Sequence, residues 1–209
     1  MTNNEMIDLT KDRAKLRALY ASTPGEFVRV DVPTLPFAVL DGEGPPERSS
    51  IEKAVKVLFT AIYPIRREAR AKMGKSFVEA PVEILYWAED MRDLATGQRD
   101  KWHWRVQITL PVWTDPRRLE DSVTEMRGEL GQVPAPRWEA VMEGDCVQLL
   151  HTGSTSDLPT KLTALYTDYL PQHRLEPVGP YHEVYLDDWS RVAWDQRKII
   201  VRTPVRETE

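Results

Sequence analysis

The chain has 209 residues, with 28 Lys and Arg against 33 Asp and Glu, a net charge of −5, so it lacks the excess of positive charge that nucleic-acid binding needs. Hydrophobic residues make up 41% and charged residues 29%, the balance of a globular protein long enough to bury a sizeable core. No apolar run approaches the roughly 20 residues of a membrane helix, the N-terminus has no signal-peptide core, and the single Cys146 excludes an internal disulfide or a cysteine-cluster zinc site.

Residues 1–24 read as a leader, with a helical turn or two from Ala14 to Tyr20 before Thr23-Pro24-Gly25 breaks it. Phe27 to Val32 alternates as a strand, and Phe37 to Leu40 is a buried one, followed by the loop Asp41 to Pro46. Ser50 is the expected N-cap of a helix carrying Ile51, Ala54, Val55, Leu58, Phe59 and Ile62 at helical spacing; Pro64 kinks or ends it, and Gly74 terminates the charged helical stretch beyond that proline. Pro81 to Trp87 is a strand, Asp90 to Asp100 a polar connection, and Trp102 to Leu110 alternates strongly enough to aim two Trp at one face. Asp115-Pro116 opens a second helix that ends before Gly131. Arg137 to Met142 and Val147 to His151 read as a hairpin turning at Glu143-Gly144-Asp145. A third helix starts at Asp157 and stops at Pro171, with Tyr181 to Leu186 and Arg197 to Arg202 as closing strands.

This order repeats. Each half holds an apolar strand, a Gly/Pro/Ser-rich turn, a helix, a strand with a glutamate among aromatics, and a strand ending in Pro-Val. The two glutamate strands are Pro81-Val82-Glu83-Ile84-Leu85-Tyr86-Trp87 and Pro180-Tyr181-His182-Glu183-Val184-Tyr185-Leu186. The pattern predicts an α+β fold of duplicated modules about a pseudo-two-fold axis: antiparallel sheets, outer helices and a central cleft. One domain, 25–209, would then consist of repeats spanning about 25–132 and 133–209.

Period-two alternation puts Glu183 with Tyr181 and Tyr185, and Glu83 with Leu85 and Trp87. If the repeats meet about a dyad, both carboxylates can face one cleft. Tyr86, Trp102, Trp104, Phe37 and Tyr63 complete the candidate wall, Tyr86 being the one that alternation fits least well. A flat, apolar, cationic ligand suits such a wall, because a desolvated cation–π contact contributes roughly 0.5–2 kcal/mol. Burial would also raise a carboxyl pKa and make it a general base near neutral pH. The plainer alternative is that each glutamate faces solvent or pairs with an arginine such as Arg105. His182, adjacent to Glu183 and so facing the other way, reads as structural. His103 and His151 have no partner at metal-ligand spacing, so neither a metal nor another cofactor is expected.

Four stretches resemble the GyrI-like proteins. Gly179-Pro180-Tyr181-His182-Glu183-Val184-Tyr185-Leu186-Asp187-Asp188 is similar to their His-Glu-Ile-Tyr-Leu-Ser-Asp signature, and Pro81 to Trp87 to their Pro-Leu-Glu-Gly-Leu-Trp-Trp run. Trp102-His103-Trp104 matches their Trp-x-Trp strand, and His151-Thr152-Gly153 their His-x-Gly loop. The resemblance implies duplicated SHS2-like β-α-β-β modules around a multidrug-type pocket for hydrophobic aromatic small molecules. It carries two other readings: hydrolysis of cyclopropane-bearing genotoxins with Glu183 as general base, and inhibition of a protein partner such as gyrase. The chain departs from the family at Ile84, where a Gly is usual, and at Tyr86, where the first Trp of a pair stands. It departs again at Asp188-Trp189-Ser190-Arg191, in place of Asp-Pro-Arg-Arg, which adds an aromatic near the cleft mouth. No membrane or direct nucleic-acid partner is expected, and cytoplasm is the default location.

Overall fold

The computed structural model describes residues 6, 8, 13–74, 77–90 and 97–208; positions 1–5, 7 and 9–12 of the expected leader, and positions 91–96 of the polar connection, lie outside the described residues. Among the described residues nine strands form: β1 (Phe27–Val32), β2 (Leu35–Glu43), β3 (Val82–Trp87), β4 (His103–Thr109), β5 (Arg137–Val141), β6 (Gly144–His151), β7 (Leu175–Pro177), β8 (Tyr181–Tyr185) and β9 (Ile199–Glu207). They pair antiparallel in the order β1-β6-β9-β8-β3-β4-β2-β5, with β7 on β9. The sheets expected to meet are continuous through the β3–β8 pair. Outward from that pair the order mirrors itself, β3-β4-β2 on one side and β8-β9-β6 on the other.

The hairpin expected across Glu143 does not form. β5 pairs with β2, and β6 with β1 and β9. The register runs on unchanged across both breaks, Val32 opposite Gly144 and Leu35 opposite Val141, so β1–β2 and β5–β6 make one long two-stranded ribbon. Pro33, which has no N–H to give a ladder, lies at its interruption. The turn signal at Glu143-Gly144 therefore marks a bend in a continuing strand, with Gly144 at φ 69°.

Helices cover both faces. Helix α1 (Arg13–Tyr20) closes one, with Leu19 fully buried near Phe37, Val39 and Cys146. The other carries α2 (Arg48–Ala61) and α3 (Tyr63–Met73), split at Ile62. Pro64 sits in the first turn of α3, where its missing N–H costs nothing. The N-cap of α2 is Glu47 rather than Ser50. Helix α4 (Pro116–Glu125) starts as expected, its Asp115 accepting from the Arg118 amide at 2.7 Å. Beyond β6, Leu158–Gln172 is a helical segment interrupted by a π turn, and it packs Leu165 and Leu170 on Val147. The largest core joins α2 to Val82, Ile84, Val106, Ile108 and Val201. Among the described residues no helix is long and apolar enough to cross a membrane.

Gly42 fixes how Trp104 enters this core. A Cβ at Gly42 would lie 2.0 Å from Cζ2 of the Trp104 ring, which packs directly on the glycine backbone. Gly42→Ala should therefore destabilise the protein by about 1–3 kcal/mol, as overpacking does. Urea unfolding measures it, and an unchanged midpoint would contradict this packing.

Candidate functional site

The β3–β8 register decides where the two glutamates point. Ile84 lies opposite Glu183, and Glu83 opposite Val184. Directly paired residues share a face. Glu183 therefore joins Ile84, Tyr86, Tyr181 and Tyr185 on the face covered by α2, while Glu83 joins Val184 and His182 on the face closed by α1. The expectation that both carboxylates face one cleft fails for this reason.

On the α2 face, the hydroxyls of Tyr181 and Tyr185 donate to the two oxygens of Glu183, each at 2.7 Å. The Tyr86 hydroxyl is directed at the same carboxylate. No Lys, Arg or His side chain lies within ion-pair distance of it among the described residues. Burial raises the Glu183 pKa; the tyrosine hydroxyls pull it back only in part. The three phenols are pushed well above their usual value, by burial first and then by the charge of Glu183, so they act as neutral donors. Tyr86 stacks on Tyr181 at 5.9 Å and meets Trp102 edge-on at 6.2 Å. Beside Tyr185 stands Trp189, T-shaped at 5.2 Å. Glu183 thus sits among five aromatic rings on the face that α2 covers.

The opposite face holds a different arrangement. Glu83, 1% exposed, accepts from Gln107 at 3.0 Å, Tyr20 at 3.0 Å and Thr109 at 3.4 Å. Nε2 of His182 stands 3.2 Å from it, and Nδ1 is 2.8 Å from Glu143. Arg202 reaches Glu143 at 3.0 Å, Gln148 at 3.1 Å and the α1 carbonyl of Leu19 at 2.8 Å. Two carboxyls, an imidazole and a guanidinium thus share one buried network. Burial opposes the charge on His182, but Glu143 and then Glu83 outweigh it and raise its pKa to about 9. Burial would likewise raise the Glu143 pKa, but His182 and Arg202 bring it down to about 2.

The remaining sequence candidates scatter. Trp87 stacks on His103 at 5.8 Å on the Glu83 face. Phe37 lies in the cluster under α1. Trp104 is on the Glu183 face but is spent on Gly42 and the core, 7% exposed. Tyr63, 46% exposed, stands at the start of α3 beside Arg67. Arg105 pairs with Asp41 and Glu139 and reaches neither glutamate. Tyr63 does line a groove of about 1650 Å³ at the end of the sheet where β3 begins and β4 ends, together with Phe59, Pro81, Leu110 and Trp189. Glu183 and its three tyrosines are not among the lining residues. No group of His, Cys, Asp and Glu among the described residues could hold a metal ion. Sequence reasoning left Glu143, Arg202 and Tyr20 out of the candidate set, and nothing in their local patterns marks them.

The family model for the GyrI-like small molecule binding domain matches residues 26–202. The chain belongs to this GyrI-like family. A comparison with curated proteins gives no match. Among solved structures, an uncharacterized conserved protein from Listeria innocua is similar at 26% identity and a TM-score of 0.75, covering 96% of this chain and 100% of that one. A structure described as a hydrolase from Listeria innocua is similar at 25% identity and a TM-score of 0.73, again over 96% and 100% of the two chains. The C-terminal domain of EcmrR, at 13% identity, a TM-score of 0.54 and coverage of 88% and 98%, shares the fold alone.

The buried network of this GyrI-like domain makes its stability pH-dependent. The share from His182 is complete below its unfolded pKa of 6.5 and is lost as pH rises through about 9. The share from Glu143 is complete above 4.5 and is lost as pH falls through about 2. Urea unfolding should show stability falling between pH 6.5 and 9. Glu143→Gln should cost about 3–5 kcal/mol at neutral pH, since it strands buried positive charge. A Glu143→Gln variant as stable as wild type would contradict the network.

Proposed function

We propose that the domain captures amphipathic aromatic molecules bearing a positive charge on the α2 face of β3 and β8, with Glu183 as the charged anchor. The observation that carries this reading is the contrast between the two glutamates. Glu83 shares its buried face with an imidazole and a guanidinium; Glu183 has only neutral hydroxyl partners among the described residues. Even a half-buried carboxylate without a counter-charge is costly to desolvate, and a bound cation supplies one. Tyr86, Tyr181 and Trp102 on one side and Tyr185 with Trp189 on the other offer faces and edges to a flat ligand. Membership of a small-molecule binding family supports the general class. The mirrored strand order supports reading 25–209 as two repeats, with Glu183 at their junction.

A second reading uses the same carboxylate as a general base. It is favoured by the raised pKa of Glu183 and by the similarity to a structure described as a hydrolase over its whole length. Glu183 would take a proton from water as the water oxygen bonds to a cyclopropane carbon held against the aromatic rings; a ring C–C bond breaks, its electron pair passing into the conjugated carbonyl system fused to the ring, which then takes up the proton.

Tryptophan-quenching titration with rhodamine 6G tests the binding reading. Saturable binding is expected for wild type, weakened at least about tenfold in Glu183→Gln. Trp87→Phe, on the far face, should leave affinity unchanged. Because only the ionised carboxylate attracts the dye, affinity should fall as pH drops through the Glu183 pKa, which burial raises. Equal affinity in wild type and Glu183→Gln would sink this reading. Mass spectrometry of a cyclopropane-bearing alkylating agent after incubation tests the second; recovery of the intact compound, at the rate seen without protein, would overturn it.

A further inference from the structure

The structure gives Trp189 two neighbours of different kinds. On one side its ring meets Tyr185, whose hydroxyl holds Glu183. On the other it lines the large groove, with Val55, Lys56 and Phe59 of α2. The groove includes Trp189 but neither Tyr185 nor Glu183. Among the described residues, the Trp189 indole therefore stands between an open space of about 1650 Å³ and the ring of Tyr185 that holds Glu183.

Trp189 is fixed there by Arg197. The guanidinium lies 3.9 Å over the indole ring. Its Nη2 donates to the Trp189 carbonyl at 2.7 Å and its Nε to the Val192 carbonyl at 3.1 Å. Arg197 is 3% exposed, so a buried side chain ties both ends of the 189–197 loop to its centre. A planar guanidinium that stacks on a ring while bonding two carbonyls uses geometry that lysine lacks. Trp189 itself packs against the main core cluster, which holds the loop down.

We propose that Trp189 is a specificity-determining residue that sets the size limit of the Glu183 pocket, with Arg197 as its positioning residue. This rests on the reading of the Glu183 pocket as the ligand site. With Trp189 in place the pocket admits a small aromatic cation. With the indole removed, pocket and groove become one space, and a larger polycyclic cation can reach Glu183 while its remaining rings lie against Phe59 and Val55. Specificity is then a difference between two affinities, and it is the difference that the indole controls.

Two probes measure that difference: phenyltrimethylammonium as the small cation and rhodamine 6G as the large one, each titrated by calorimetry. Trp189→Ala should shift the affinity ratio towards rhodamine 6G by at least about tenfold. Trp189→Phe, which keeps a ring, should shift it less. Arg197→Gln should shift it in the same direction as Trp189→Ala, and Arg197→Lys should not restore the wild-type ratio. An unchanged ratio in Trp189→Ala overturns the proposal, including the case in which both affinities fall together.

A measurement without ligand keeps the partition separable from the binding reading. Carbodiimide with glycine ethyl ester labels accessible carboxyls, and peptide mass spectrometry gives the labelling of Glu183 relative to exposed Glu120. Trp189→Ala should raise Glu183 labelling several-fold over wild type, with near-UV circular dichroism confirming a folded protein. Unchanged labelling overturns the partition. If wild type binds neither probe, the reading of the site as a cation pocket fails, while labelling still decides whether Trp189 screens the carboxylate.

Discussion

The pairing of β3 with β8 is the constraint on which the rest of the molecule depends. Each strand brings one glutamate, and side chains alternate along a strand. With Ile84 opposite Glu183, the two acids must point to opposite faces, and no side-chain rotation can bring them together. Shifting the register by one residue would turn His182 and Val184 towards α2 and put Glu183 among the groups under α1. The register is therefore held by charge as well as by apolar packing. His182 fits only where Glu83 and Glu143 wait for it, and the tyrosines fit only beneath the helices.

The two faces solve the same problem differently. An ionised carboxylate loses its water on burial and needs either charge or several hydrogen bonds in return. Under α1 the return is charge. Arg202 and His182 meet Glu143, and Arg202 also takes the Leu19 carbonyl near the C-terminus of α1, where the helix dipole favours a cation. That network binds α1, β6, β8 and β9 into one unit. Under α2 the return is two phenolic hydrogen bonds with a third hydroxyl directed at the carboxylate, which orient it without neutralising it.

Much of this was legible in the residues, because alternation is a local signal. The strands at Phe27, Trp102 and Tyr181 follow from period two, and the helix at Asp115-Pro116 follows from its cap and its proline. The face shared by Tyr181, Glu183 and Tyr185 came from the same arithmetic. What stayed hidden depends on pairing, which period two does not encode. Tyr86 belongs with Glu183 because it lies opposite Tyr181 across the ladder, and Trp87 is excluded by the same register. The bend at Glu143 has the composition of a hairpin turn, but β1 and β2 are already there to take the two flanking strands, so the chain runs on instead of folding back. Glu143, Arg202 and Tyr20 come from distant parts of the sequence. Only the fold brings them together.

The choice of tyrosine around Glu183 has a consequence for selectivity. Had the partners been arginine or lysine, the carboxylate would be neutralised in the free protein, and a cationic ligand would have to displace a charge before gaining one. Phenols held far above their usual pKa donate without carrying charge, so they add no counter-charge to Glu183. Burial alone would favour the protonated acid. The hydrogen bonds oppose this first, and the positive His182 behind the strand opposes it further, acting through the backbone from the other face. The network under α1 is therefore more than a fastening for the sheet. By keeping His182 charged one residue away, it offsets part of the rise that burial imposes on the Glu183 pKa.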